Sequence, residues 1–180
     1  MNYVRGFAPW LCYAALSPVD WRLGTCAAAL AALLLLAGQL RARSVELLAG
    51  ATCVFFVVMA VIAVSDPSSG LRHWISALAN ATLAAVAAAS LAVRRPFTLP
   101  FARAQVPREY WNAPRFIRVN MVLTTIWATG FATAAVACAL IVGYDHGAAV
   151  PLIAAQVLGF VLPFALSGRY ASRAQAAAGV

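Results

Sequence analysis

Guanidinium groups concentrate in one stretch of the chain, residues 94–118, which reads RRPFTLPFARAQVPREYWNAPRFIR. The stretch holds six arginines and a single carboxylate, that of Glu109. A guanidinium presents a planar fork of N–H donors that matches phosphate and carboxylate oxygens. The stretch therefore indicates anion-binding chemistry. Its candidate lipid- or partner-binding residues are Arg94, Arg95, Arg103, Arg108, Tyr110, Trp111, Arg115 and Arg118.

Two interpretations of this arginine-rich stretch remain open. Arginines beside an apolar run are attracted to the anionic inner leaflet of a membrane, at about 1 kcal/mol each near the surface. Tyr110 and Trp111 are typical anchors at the level of the lipid headgroups. In this interpretation the stretch anchors and orients a membrane protein. In the other it is a docking site for an anionic lipid, a phosphorylated substrate or a partner protein.

Three uncharged polar residues, Asn80, Thr133 and Gln156, lie inside long apolar runs. At 1.5 Å per helical residue they lie about 9, 16 and 13 Å below the outer ends of their helices. An amide in a bilayer needs a hydrogen-bond partner, and such contacts contribute roughly 0.6–2 kcal/mol each. We expect the three helices to pack together at this depth, either for stability or around a polar binding spot. The runs carry no charged residue, which disfavours a pump or coupled transporter.

Residue patterns typical of catalysis or metal binding are absent from the sequence. The four cysteines lie in different apolar runs and form no CxxC pair. His73 and His146 are expected in outer turns near two aspartates, but their spacing matches no metal motif. No Ser/His/Asp array or phosphate loop is visible. We therefore predict no catalytic residue, no metal and no cofactor, and a protein that is not an enzyme. The weaker alternative is a membrane enzyme that holds a phosphate-bearing lipid with the arginine-rich stretch, where Glu109 is the only carboxylate.

The composition places the chain in a bilayer. It is 64% hydrophobic and 10% charged, with a mean hydropathy of +0.85, whereas soluble domains are about 45–50% apolar and about 25% charged. We predict an all-α, polytopic bundle of five to six transmembrane helices in a single domain, residues 1–180. The predicted helices cover about 6–19, 23–40, 47–64, 74–93, 119–144 and 147–168. The first run would be only about 21 Å long against a hydrocarbon core of about 30 Å, so whether it spans stays open.

Arginine placement predicts the orientation. With six helices and both termini cytoplasmic, eleven arginines fall in inner segments and two, Arg22 and Arg72, in outer ones. Residues 94–118 then form a cytoplasmic loop. The net charge of +8 could suggest nucleic acid, but the arginines lie between apolar runs, so no nucleic-acid partner is expected. The expected partners are membrane lipids of the anionic inner leaflet.

Several short landmarks follow one another in a recognisable order. They are LSPVDW, RARSVE, VRRPFTLPFAR and EYWNAPRFIRVNMVLTTIWATGF. In length, helix number and landmark order the chain resembles the bacterial intracellular septation protein A family of inner-membrane proteins. It also resembles an uncharacterised group of multi-pass bacterial proteins with an RPFTL…AR junction. The matching landmark residues are Asp20, Arg95, Pro96, Trp111, Asn120 and Trp127.

The resemblance implies a non-enzymatic part in cell-envelope biogenesis or septation, performed in the bacterial inner membrane through protein partners of the envelope machinery. The alternative is a small transporter or channel-like protein with Asn80, Thr133 and Gln156 along its path. A row of small residues in the fourth run, Ala77, Ala81, Ala85 and Ala89, allows close helix packing within the chain and leaves a homodimer open.

Overall fold

A computed structural model describes residues 2–17 and 19–176 and contains no strand in these ranges. Met1, Pro18 and residues 177–180 of the predicted domain fall outside the described residues, and Pro18 also lies in the predicted first helix. The helices are α1 Asn2–Leu16, α2 Trp21–Arg41, α3 Leu47–Ser65, α4 Leu71–Ala92, α5 Leu99–Arg103, α6 Pro114–Tyr144 and α7 Ala149–Ala176, with a 3-10 turn at Arg108–Tyr110.

Five of these helices, α2, α3, α4, α6 and α7, are long and apolar enough to cross a membrane. The all-α fold class is confirmed, and the chain is a multi-pass membrane protein by the length and composition of these helices. The remaining long element, α1, has 15 residues and measures about 22 Å at 1.5 Å per residue. Spanning by α1 and a cytoplasmic location of the termini stay predictions.

Two helix boundaries differ from the prediction in ways that matter for function. Helix α6 begins at Pro114 rather than near residue 119, because proline at the first helical position has the right φ and no N–H to satisfy. Helix α7 continues to Ala176 rather than ending near residue 168. The sequence after Gly168, RYASRAQA, is rich in residues with high helix propensity.

The helices group into two compact units, Met1–Arg72 and His73–Val180. The assignment of a single domain stays a prediction. In the first unit α2 packs against both α1 and α3. An aromatic cluster joins α1 to α3: the ring of Trp10 lies 4.7 Å from that of Phe56 and 5.7 Å from that of Phe55. Buried aromatic pairs of this kind stabilise beyond their apolar area.

Asp20 caps the start of α2. Its Oδ1 accepts a hydrogen bond from the backbone N–H of Arg22 at 2.7 Å, and its Oδ2 lies 2.7 Å from the Arg22 guanidinium. The indole N–H of Trp21 donates to the Pro67 carbonyl at 3.0 Å, which ties this helix start to the turn after α3. Hydrogen bonds from Arg22 hold the pKa of the Asp20 carboxyl below its ordinary value.

We expect Asp20→Ala to lower the melting temperature by roughly 2–4 °C, because the helix loses its N-cap. Asp20→Asn should lower the melting temperature by less, since asparagine also caps helices. Because the folded-state pKa of Asp20 is depressed, its charge stabilises the fold above the ordinary value of 3.8 and this contribution is lost in acid. Melting curves at neutral and acid pH check this. A melting temperature that stayed higher for the wild type than for Asp20→Asn well below pH 3.8 would contradict it.

In the second unit α6 and α7 pack closely through small residues. A Cβ added to Gly130 on α6 would overlap the Pro163 ring of α7, and one added to Gly159 on α7 would overlap the Ala134 Cβ of α6. Close backbone approach through glycine and alanine is the usual basis of helix pairing in membranes. Trp127 adds an aromatic contact, with its ring 5.1 Å from that of Phe160.

Candidate functional site: an arginine-rich helix junction

The end of α4 is a tight turn with arginine in a position that favours glycine. Arg94 has φ 55°, its N–H donates to Leu91 O at 2.9 Å, and the N–H of Arg95 donates to Ser90 O at 2.9 Å. This is a Schellman motif, whose left-handed residue is usually glycine because a Cβ is strained there. Helix α2 ends in the same way, with Arg43 at φ 50°. Both side chains lie at the negative end of a helix dipole, where a cation is stabilising.

A buried serine fixes the chain just beyond this turn. The Ser90 hydroxyl is 0% exposed, donates to Ala87 O at 2.7 Å and accepts the N–H of Phe97 at 3.2 Å. Pro96 is fully buried beside it. Arg94 and Arg95 are exposed. The start of the arginine-rich stretch is therefore an ordered turn with its cations directed outward.

Thr98 then fastens the stretch to α6. Its hydroxyl oxygen lies 3.1 Å from Asn120 Oδ1 and 3.0 Å from Thr124 Oγ1, and we call these three residues the Thr98 node. The Thr124 hydroxyl can donate to Thr98, which in turn donates to Asn120, while the Asn120 amide donates to Phe116 O at 2.9 Å. Asn120 is 1% and Thr124 0% exposed. Buried polar groups that satisfy one another in this way rigidify a structure.

Trp111 organises the middle of the stretch. Its indole N–H donates to Val106 O at 3.2 Å. The guanidinium carbons of Arg103 and Arg108 lie 5.4 and 5.6 Å from the centre of its ring, within the range of cation–π attraction. The Arg103 Nε atom is buried and has no hydrogen-bond partner among the described residues. Tyr110 is exposed. Trp111 thus holds two arginines together, and its role as a headgroup anchor stays a prediction.

A groove separates the start of α6 from the end of α7. Its volume is about 690 Å³. Arg115 and Arg118 line one side, and Tyr170 and Arg173 line the other. Arg115 Nη2 donates to the backbone carbonyl of Ala174 at 2.9 Å, which links the two helix ends. Tyr170 and Arg173 were not predicted as site residues because the last helix was expected to end before them.

The three polar residues predicted to meet inside the membrane occupy different environments. The Asn80 amide donates to Ser76 O of its own helix at 2.9 Å. The Thr133 side chain is exposed and Gln156 is half-buried. Within the described residues no hydrogen bond joins any two of the three. A shared polar path stays a prediction.

His73 and His146 come together at the opposite end of the second unit. Their ring centres lie 5.3 Å apart in an edge-to-face arrangement. Across the part of the chain that the structure describes, no three His, Cys, Asp or Glu side chains are grouped to hold a metal ion.

The fold and this site define a multi-pass helical membrane protein. The arginine-rich stretch, residues 94–118, forms an ordered junction at one end of its second unit. No protein-family model, curated protein or solved structure matches the chain. The resemblance to the septation protein A family and the landmark roles of Asp20, Pro96, Asn120 and Trp127 stay predictions. Asn120 has a structural role in the Thr98 node, and Trp127 in the contact between α6 and α7.

Proposed function

We propose that this chain is a non-enzymatic scaffold of the bacterial inner membrane that binds protein partners of cell-envelope biogenesis or septation at its arginine-rich junction. Both termini and the junction then face the cytoplasm, as the arginine distribution favours. The observation that carries the proposal is the ordered arrangement of Arg103 and Arg108 around Trp111.

Order in the junction supports partner binding over a purely topological role. Orientation in a membrane depends on the number of positive charges near the helix ends and requires no defined arrangement of them. Here the Thr98 node and the Trp111 indole hold the stretch in one conformation. Arginine and tryptophan are the residues most enriched among energetic hot spots of protein interfaces. A rigid cluster of both fits an acidic surface on a partner protein.

Replacing Arg103 and Arg108 together by lysine tests the proposal. The charge, and with it the topology, is retained, but lysine lacks the planar guanidinium that stacks on Trp111. We expect recovery of envelope proteins with the tagged protein, in a gentle-detergent pull-down from native membranes, to fall about tenfold, as for loss of one interface hot spot.

The matched control is Arg41→Lys with Arg43→Lys, two exposed arginines at the end of α2. The control should recover the same partners as the wild type. If the Arg103/Arg108 variant recovered as much partner protein as the wild type, binding would not require the guanidinium groups of the junction, and the proposal would be contradicted. A tightly held solute in place of any protein partner would favour the transporter alternative.

A further inference from the structure

The groove between the start of α6 and the end of α7 carries a concentration of positive charge that the described chain does not neutralise. Arg115, Arg118 and Arg173 line it, and no carboxylate does. Among the described side chains, none of these three arginines forms an ion pair. Three guanidinium groups around one groove repel each other unless an anion lies between them. The groove is therefore complementary to a compact anion with several oxygens.

The position of the groove on two membrane-spanning helices indicates where the anion comes from. Only 6% of the membrane-spanning part of α7 is buried, so lipid chains can cover this helix directly below the groove. Leu166 and Phe164 are 50% and 67% exposed there. Tyr170 lies about 6 Å along the helix from Leu166. This distance matches the headgroup layer of a bilayer, about 5–7 Å thick on each side.

We propose that the groove binds the phosphate of an anionic phospholipid, with its acyl chains along α7. Arg118 and Arg173 donate to the phosphate oxygens from opposite sides, and the Tyr170 hydroxyl is placed to add a third hydrogen bond. Arg115 has a positioning role, since its bond to Ala174 O holds the two helix ends at this separation. The proposal does not depend on the scaffold function, which uses Arg103 and Arg108.

Titration of the purified full-length protein with phosphatidylglycerol, followed by native mass spectrometry, tests the site. The variant is Arg118→Gln with Arg173→Gln, and both side chains are exposed, so folding should be unaffected. The matched control, Arg41→Gln with Arg43→Gln, removes the same charge from the end of α2. Parallel titrations use zwitterionic phosphatidylcholine, and a competition arm uses inorganic phosphate.

We expect phosphatidylglycerol to bind the groove variant about 30-fold more weakly than the wild type, the equivalent of ~1 kcal/mol for each removed charge. The control should bind as the wild type does, phosphatidylcholine should bind weakly to all three, and inorganic phosphate should not displace the lipid. Equal phosphatidylglycerol affinity in the groove variant and the control would overturn the proposal. Displacement by inorganic phosphate would also overturn it, because the site would then take a soluble phosphate. If the Arg103/Arg108 variant lost its protein partners, the phosphatidylglycerol affinity of the groove would be unchanged. The two proposals can therefore fail separately.

Discussion

Gly130→Ala should destabilise the protein by about 1–3 kcal/mol, the usual effect of overpacking a close contact. The added methyl group overlaps the Pro163 ring, which is rigid and buried against α6. Gly159→Ala should act in the same direction through the Ala134 side chain. Thermal unfolding in detergent, with the monodisperse yield, measures the effect.

Gly168→Ala is the control, because the same change at this position of α7 meets nothing within 4 Å. It should leave stability unchanged or raise it, since alanine favours helix over glycine by about 1 kcal/mol. A second substitution, Pro163→Ala, should rescue Gly130→Ala by removing the ring that the methyl group meets, so the two effects should be strongly non-additive. Identical melting temperatures for the alanine variants at Gly130 and Gly168 would mean that the two helices do not pack through this contact.

Asn120→Leu should loosen the arginine-rich stretch. The substitution removes the side-chain oxygen that accepts a hydrogen bond from the half-buried Thr98 hydroxyl, and the loss of one such hydrogen bond costs about 0.5–1.5 kcal/mol. Because the stretch contains several arginines, its opening exposes trypsin sites. We expect cleavage after Arg103 and Arg108 to become about 2- to 10-fold faster, as local opening becomes more populated. Timed trypsin digestion with mass spectrometry measures it.

Asn80→Leu is the matched control for this experiment. It removes the other asparagine predicted to lie within the membrane, but that amide donates only to Ser76 O in its own helix. Cleavage in the arginine-rich stretch should stay at the wild-type rate. If the two leucine variants were digested equally fast, the Thr98 node would not be what holds the stretch in place.

The membrane-spanning helices could be predicted from the sequence because length and apolar composition alone decide them. The pairing of the helices could not be predicted in this way. The regular alanine row on α4 suggested a packing face, yet Ala81, Ala85 and Ala89 are exposed. The close contact falls instead at Gly130 and Gly159, each of which also has a small residue four positions away on its own helix, Ala134 and Ala155. Which small residue meets another helix depends on helix rotation, which periodicity in one helix does not determine.

The residue types that form the site could be predicted from the sequence, but their arrangement in space could not. The arginines and Trp111 were recognised, but the spacing of residues in an irregular segment does not determine that the Trp111 ring meets Arg103 and Arg108. Asn120 entered through the family resemblance alone. Thr124, which also contacts Thr98, lies four residues later on the same helix, and that spacing places both side chains on one face. An amide and a hydroxyl at this spacing in an apolar run could have been used to predict a polar contact on that face of the helix.

The left-handed arginines at the ends of α2 and α4 have a consequence at the level of codons. Every arginine codon becomes a glycine codon when its first base changes to guanine. Arg43 and Arg94 are therefore one mutation away from the residue that best suits their φ of 50° and 55°. Turn geometry does not account for arginine at these two positions. Glycine would relieve the backbone strain at both helix ends, but it would also remove a positive charge from the negative end of each helix dipole.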